Sequence, residues 1–349
     1  MPNAPFRTVV NNFFSIYYAT FINNVYLYHL IRYGRRFFMV MKEELPVYHI
    51  PALAPETIQG LDIKPDGTYV DVTFGGGGHS RAIMSCLGPN GRLFSFDQDM
   101  DAYANRIDDN RFTFVHGNFR YLRNFLRFYN ALPADGILAD LGVSFHHFDD
   151  GERGFSFRYS DGVLDMRMNR DNDLDARRVV NEYDAERLTT IFRLYGELKN
   201  AKRMADCIVK ARASKDIVTI ADLLNVVRPL INPRQEKKEL AQVFQALRME
   251  VNHEVDALQE FLEQTLTAIR PGGRLAIITY HSIEDRMVKN FMRSGRIDGK
   301  VETDFFGRRL SPIAPLSGKP IVPSDEEVER NPRARSAKLR VAIIGKEDE

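Results

Sequence analysis

Tyr69-Val70-Asp71-Val72-Thr73-Phe74-Gly75-Gly76-Gly77-Gly78-His79-Ser80-Arg81-Ala82-Ile83 reads as a strand, a turn almost without side chains, and the start of a helix. Glycines tolerate positive φ and, lacking Cβ, let a ligand approach the main chain. The helix that follows offers unpaired N–H groups and the positive end of its dipole. A nucleotide-like cofactor can therefore touch backbone at this turn; the plainer reading is a tight βα connection with no ligand.

Working outward, short β-rich runs alternate with helical ones from Met41 onward, the pattern of an α/β fold built on a parallel sheet. Strands are expected at 69–74, 92–96, 112–116, 136–141 and 274–280, with a late one at 338–344. About 130 residues separate Leu141 from Arg274, far beyond an ordinary crossover, so an inserted domain is implied. The insert reads as mainly helical, with helices at 184–195, 198–213, 220–227 and 234–251, the third capped by Thr219. A further helix at 254–269, closed by Pro271-Gly272-Gly273, leads back to the sheet, and the proline-rich stretch 305–337 reads as one long surface loop. The expected division is a 1–40 extension outside the fold, a sheet domain from 41–147 and 245–349, and a helical insert at 148–244.

In a doubly wound sheet, ligands bind at the carboxyl ends of the strands near the switch point. Asp97 closes the second strand about 20 residues after the glycines, where a carboxylate can accept hydrogen bonds from both hydroxyls of a ribose. The dinucleotide pattern GxGxxG fails, because Ser80 or Arg81 stands at the third glycine position, and no Gly-Lys-Ser/Thr follows to make a phosphate loop. A ribose plus an amino-acid carboxylate, with no pyrophosphate, fits better, which points to S-adenosylmethionine. Phe119 is placed to lie against the adenine. Asp140 ends the fourth strand and faces the same crevice, to hold the methionine amino group or the incoming substrate; a cap for the next loop is the plainer role.

The chain has 349 residues, enough for a sizeable core and about two domains. Its net charge of +1 supplies no general field, so contact with nucleic acid must come from local basic patches. Two cysteines far apart exclude a disulfide framework and a zinc signature and suit a reducing cytoplasm. His146-His147 beside Asp149 and Asp150 has neither HxxxH nor HExxH spacing, and no metal is expected. The first 38 residues are crowded with aromatic side chains, but Asn11, Asn12, Asn23, Asn24 and His29 make a membrane-spanning helix costly. The reading adopted is that translation starts at Met39 or Met41 and that no membrane is engaged.

Several segments together resemble the RsmH (MraW) family: Val70 to Ser80, Asp140-Leu141-Gly142-Val143-Ser144, Glu152-Arg153-Gly154-Phe155-Ser156-Phe157, Leu164 to Met168, Tyr280 to Arg286, and Asn331-Pro332-Arg333-Ala334-Arg335-Ser336. The resemblance runs in order from about His49 to Ile344. It implies a class I (Rossmann-like) methyltransferase sheet with a helical domain inserted after the fourth strand. The implied activity is methylation of N4 of a cytosine in the decoding region of 16S ribosomal RNA, within the small ribosomal subunit. Carried over by motif, the cofactor contacts are Gly77, Gly78, His79, Asp97, Phe119, Asp140 and His147, the last a departure from the glutamine common in similar sequences.

Methyl transfer from a sulfonium needs in-line positioning more than a strong base. An acceptor on the amino hydrogen helps to pyramidalise the cytosine nitrogen, and Asp140 and His281 are the candidates, with Ser144 and Ser282 near the pocket. For His281 the competing role is a helix start, with Ser282 as N-cap and Asp285 in support. RNA contacts are expected from Arg167 and Arg170, from Lys199, Lys202, Arg203, Lys210 and Arg212, from Arg308-Arg309, and from Arg330, Arg333, Arg335, Lys338 and Arg340. Phe155, Phe157 and Tyr159 either stack on a flipped base or pack the insert. The rival readings are an amino-methyltransferase of DNA or another RNA, and a regulator with a sensory cofactor site. A homodimer is compatible with the sequence, and nothing in it demands one.

Overall fold

The computed structural model describes residues 51–142 and 150–345. The extension at 1–40, and Val143 to Asp149 with His147, Ser144 and His146, lie outside the described residues. Seven strands form one sheet: β1 Thr68–Asp71, β2 Arg92–Asp97, β3 Phe112–His116, β4 Ala134–Asp140, β5 Ile269–Thr279, β6 Ile313–Pro315 and β7 Lys338–Ile344. Their order is β3-β2-β1-β4-β5-β7-β6, with β7 antiparallel to both neighbours and the other pairings parallel. This is the class I methyltransferase sheet, and its strand order reverses between β1 and β4.

Both faces of the sheet are apolar because side chains alternate with period 2. Val70, Ile137, Ala139, Leu275 and Ile277 face one core, shared with helices α3 (Leu122–Phe128), α9 (Glu254–Ala268) and α10 (Ser282–Ser294). Tyr69, Leu138, Ala276 and Ile278 face the other, which Leu61 of α1 (Ala54–Leu61) and Ile83 of α2 (Gly78–Cys86) cover.

Between β4 and β5 a third core, from Phe155 to Val251, is built by five helices. These are α4 (Ala176–Glu182), α5 (Ala185–Leu194), α6 (Ala201–Arg212), α7 (Ile220–Val227) and α8 (Glu236–Val251). Asp175 and Asp184 cap α4 and α5 by accepting the N–H groups of Arg178 and Arg187, and Thr219 with Asp222 forms a capping box on α7. Phe155 is buried in this core and Phe157 meets Phe244 edge-to-face at 5.6 Å, so packing of the insert claims both rings.

Three readings of the sequence are corrected. Residues 305–337 are not one loop: β6, the helix α11 (Asp325–Arg330) and a 3₁₀ helix at Pro332–Ser336 lie within them. Pro271-Gly272-Gly273 does not close a helix but belongs to β5, which starts at Ile269 and shifts register against β4. A helix at Ala176–Glu182, absent from the expectation, opens the insert.

Arg153 and Asn252 are among the polar ties that join insert to sheet. Arg153, 3% exposed, donates to Oδ2 of Asp99 at 2.9 Å and Oδ2 of Asp101 at 3.1 Å, and to the carbonyls of Arg167 and Met168. Asn252, buried at the joint between α8 and α9, donates to the carbonyls of Met166 and Arg248 and accepts the N–H of Met168. Replacing Arg153 by Met removes the cation from a buried carboxylate, and we expect a loss of about 3–5 kcal/mol. Urea unfolding reads it; a loss of under about 1 kcal/mol, the range of an exposed pair, would contradict the assignment.

Candidate functional site

β1 delivers the glycine turn to the carboxyl end of the sheet. Gly77 has φ +74°, and a Cβ there would meet the Arg81 guanidinium at 2.4 Å and the Phe74 ring at 2.9 Å; at Gly78 it would meet Pro51 at 3.0 Å. The turn is tied from outside. Arg81 donates to the carbonyls of Gly76 and Asn105, and Asn105 donates to the carbonyl of Gly75. The N-cap residue of α2, Gly77, has no side chain to cap the helix, so the N–H groups of its first turn are left to an anion.

Asp97 sits against the same turn, its Oδ2 accepting the Gly75 N–H at 2.8 Å and its Oδ1 the Asp99 N–H at 2.9 Å. Burial pushes its carboxyl up to about 6, against the lowering effect of those two hydrogen bonds, and the neighbouring charges of Asp99 and Asp71 add to the rise.

Asp140 closes β4 across the switch point. Its N–H donates to Thr73 Oγ1 at 2.6 Å, Tyr280 Oη donates to its Oδ1 at 2.9 Å, and His79 Nε2 lies 3.5 Å from its Oδ2. Burial alone would lower the His79 pKa, but Asp140, followed by Asp71 and Glu327, outweighs it and raises the net value. The Tyr280 phenol is raised by burial and by Asp140, so it stays a donor. The His79 ring is buried beside Asp140 at ion-pair distance, with neither ring nitrogen in a hydrogen bond among the described residues. Tyr280 was not singled out in the sequence: it acts across 140 positions, and no spacing rule reports that.

His281 follows β5 as the residue before α10, with Nε2 3.1 Å from Oε1 of the buried Glu284. Burial would raise Glu284, but His281 and then Arg248 outweigh it and hold the carboxyl below its ordinary value. Ser282 is not the cap expected of it: its hydroxyl donates to Glu197, and Asp285 pairs with Arg340 and Lys338. Glu254, His281 and Glu284 bring ligand-type atoms within 4.8 Å of one another. Arg248 already fills that corner, donating to both carboxylate oxygens of Glu254 at 2.8 Å, and its charge opposes a metal ion.

Gly78, His79, Asp97, Phe119, Asp140 and His281 line a single cavity of about 560 Å³. Phe119 is half-buried and meets Phe261 edge-to-face at 5.3 Å, so one side of its ring is anchored in the core. The far wall comes from the insert and the C-terminal segment, through Ser156, Phe157, Arg158, Gln245 and Arg333. The cavity therefore extends from the glycine turn to the insert. A glycine turn with little room for a Cβ at Gly77 and Gly78, open helix N–H groups and a strand-end carboxylate suit an adenosyl amino acid.

Several basic residues expected on the RNA face are engaged elsewhere. Arg340 is paired with Asp285, Arg167 is held by Asp165 and by the carbonyls of Arg170 and Asn172, and Arg212 donates to the Val180 carbonyl.

Comparison with known proteins agrees with this architecture. The model of the MraW methylase family matches residues 46–344. A protein of Bacteroides thetaiotaomicron named ribosomal RNA small subunit methyltransferase H is 59% identical over 301 residues, covering 86% of this chain and 98% of that one. Proteins of the same name from Porphyromonas gingivalis and Flavobacterium johnsoniae are each 55% identical, and cover 96% and 97% of their own lengths.

Gly77→Ala should cost about 1–3 kcal/mol, because an L residue is strained at that φ and its Cβ has no space. Thermal or urea unfolding measures it; unchanged stability would show that the turn relaxes freely.

Proposed function

Because the chain belongs to the MraW methylase family, we propose that it transfers the methyl group of S-adenosylmethionine to N4 of a cytosine in the decoding region of 16S ribosomal RNA. The substrate in this reading is RNA within the small ribosomal subunit, in the cytoplasm. The names of the similar proteins support the substrate class, and the observation that carries the reading is the meeting of the glycine turn, Asp97 and Asp140 at the switch point. We divide the chain as a sheet domain, 41–147 and 245–349, that holds the cofactor and an insert, 148–244, that meets RNA; the core shared by Phe155 to Val251 draws the working seam toward Asn252.

Gly78 and the first N–H groups of α2 hold the cofactor carboxylate, with Gly77, whose own N–H is given to the Phe74 carbonyl, keeping the turn bare of side chains for its approach; Asp97 accepts from the ribose hydroxyls, Phe119 lies beside the adenine, and His147 is a further proposed contact. Bound there, the sulfonium supplies an already activated methyl group. Asp140 accepts a hydrogen bond from the target amine, turning its lone pair out of conjugation, while Thr73 holds its backbone N–H, Tyr280 donates to its carboxylate and His79 stands 3.5 Å from it. His281, its Nε2 facing Glu284, is the second acceptor in the cavity and takes the proton the methylated nitrogen must lose.

Labelled cofactor offered with naked 16S RNA, assembled small subunits and DNA tests the assignment. Label should appear in the small-subunit RNA and map to a cytosine; transfer to DNA, or none anywhere, would refute it. Asp140→Ala should lower kcat about a hundredfold or more, and cofactor affinity measured separately shows whether binding accounts for the loss. Unchanged turnover removes Asp140 from the mechanism, and the same holds for His281→Ala. The Asp97 carboxylate must be charged to grip the ribose, and its acid form prevails below about 6. Cofactor affinity by calorimetry should therefore be flat above neutrality and weaken as pH falls through that value; affinity independent of pH would contradict the role.

A further inference from the structure

After α10 the chain makes a hairpin that the cleft does not use. Leu310 donates its N–H to the Glu302 carbonyl, Asp304 to Arg308 and Gly307 to Asp304, and Thr303 bridges Arg309. Oδ1 of Asp304 accepts the N–H groups of both Phe306 and Arg308 at 2.8 Å. The turn is thus stapled. At its tip Phe305 is 97% exposed and Phe306 82%, their rings edge-to-face at 5.6 Å. Phenylalanines held in water on a fixed turn forgo the burial that such rings otherwise gain, which points to a partner.

Arg308 and Arg309 follow directly, exposed, with no ion pair of either guanidinium among the described residues. Nearby Arg296, by contrast, is neutralised by Asp298 and Glu302. Stacking rings beside unneutralised guanidinium groups fit single-stranded nucleic acid, whose bases stack whatever their identity and whose phosphates bind guanidinium bidentately. A symmetric contact with a second copy would instead bring these arginines toward their own counterparts at the rim, a like-charge cost.

The place in the fold sets the scale of the partner. β6 begins at Ile313 paired with Ile344, and Ile343 pairs with Arg274, so the hairpin leads into the end of the sheet opposite the cleft. Building on the rRNA substrate proposed above, we propose that the hairpin 302–310 is an RNA-docking element. It stacks unpaired bases of the substrate on Phe305 and Phe306 and holds adjacent phosphates with Arg308 and Arg309, far from the nucleotide that is methylated.

The test compares the full-length wild type with Phe305→Ala/Phe306→Ala and Phe305→Tyr/Phe306→Tyr. Affinity for a 16S RNA transcript and for purified small subunits is measured, with methylation kinetics, S-adenosylmethionine binding, sedimentation and flotation with phosphatidylserine vesicles. The alanine pair should weaken RNA affinity and raise KM for RNA by between about tenfold and a hundredfold, the range of one or two lost stacking contacts. It should leave kcat at saturating RNA and cofactor affinity unchanged, and the tyrosine pair should restore wild-type affinity. RNA affinity unaffected by the alanine pair overturns the proposal. If the alanine pair abolishes only self-association, or only vesicle binding, the rings belong to a second copy or to a membrane, and the proposal fails equally. A wild type that methylates RNA while the alanine pair behaves identically refutes the hairpin alone; a wild type that neither binds nor methylates RNA refutes the proposed function with it.

Discussion

Asp71 is the group on which the geometry of the cleft depends. It is fully buried at the end of β1, and its carboxylate accepts the hydroxyl of Ser80 at 2.6 Å and the N–H and hydroxyl of Thr73 at 3.1 and 3.3 Å. Ser80 in turn meets the hydroxyl of Ser95 at 2.8 Å, and Thr73 accepts the N–H of Asp140. One buried acid thereby links β2, α2, β1 and β4. Burial raises its pKa, with Ser80 and then His79 opposing the rise; a buried carboxyl is costly unless its hydrogen bonds are complete, and here the turn supplies them.

That network turns a flexible run of glycines into a fixed one. With Asp71 holding Thr73 and Ser80 on either side of it, and Arg81 and Asn105 tying its outward carbonyls, the turn has little freedom left. Gly75, Gly76 and Gly78 and the carboxylates of Asp97 and Asp140 then line one cavity without having to be gathered by the ligand, the N–H groups of Gly75 and Gly77 being already given to Asp97 and to the Phe74 carbonyl. Preorganisation of this kind suits a transfer whose main demand is alignment.

What was legible in the sequence follows from local physics. The glycine run, Asp97 and Asp140 stand at strand ends that the apolar periodicity marks, and the long gap after Leu141 announces the insert by length alone. Thr219 is visible as a cap because the capping box closes within four residues. Contacts that close over long distances left no such trace: Tyr280 on Asp140 and Arg153 on Asp99. Asp71 itself looks like any acid in a strand until its neighbours are placed around it. β6 escaped because three residues among prolines carry no periodicity, and Pro271-Gly272 disguised the start of β5 as a helix end. Phe305 and Phe306 fall at the start of the stretch read as a surface loop, so their exposure was legible, but the hairpin that fixes them was not, because its hydrogen bonds show only in the fold.

The claim that all of this serves is that the turn, Asp97 and Asp140 together hold S-adenosylmethionine. A crystal structure of the full chain soaked with that cofactor tests it most directly. The account predicts the ribose hydroxyls on the Asp97 carboxylate, the adenine beside Phe119 and the amino-acid end at the first turn of α2. Cofactor density elsewhere on the molecule, or in this cavity with the ribose away from Asp97, would contradict it.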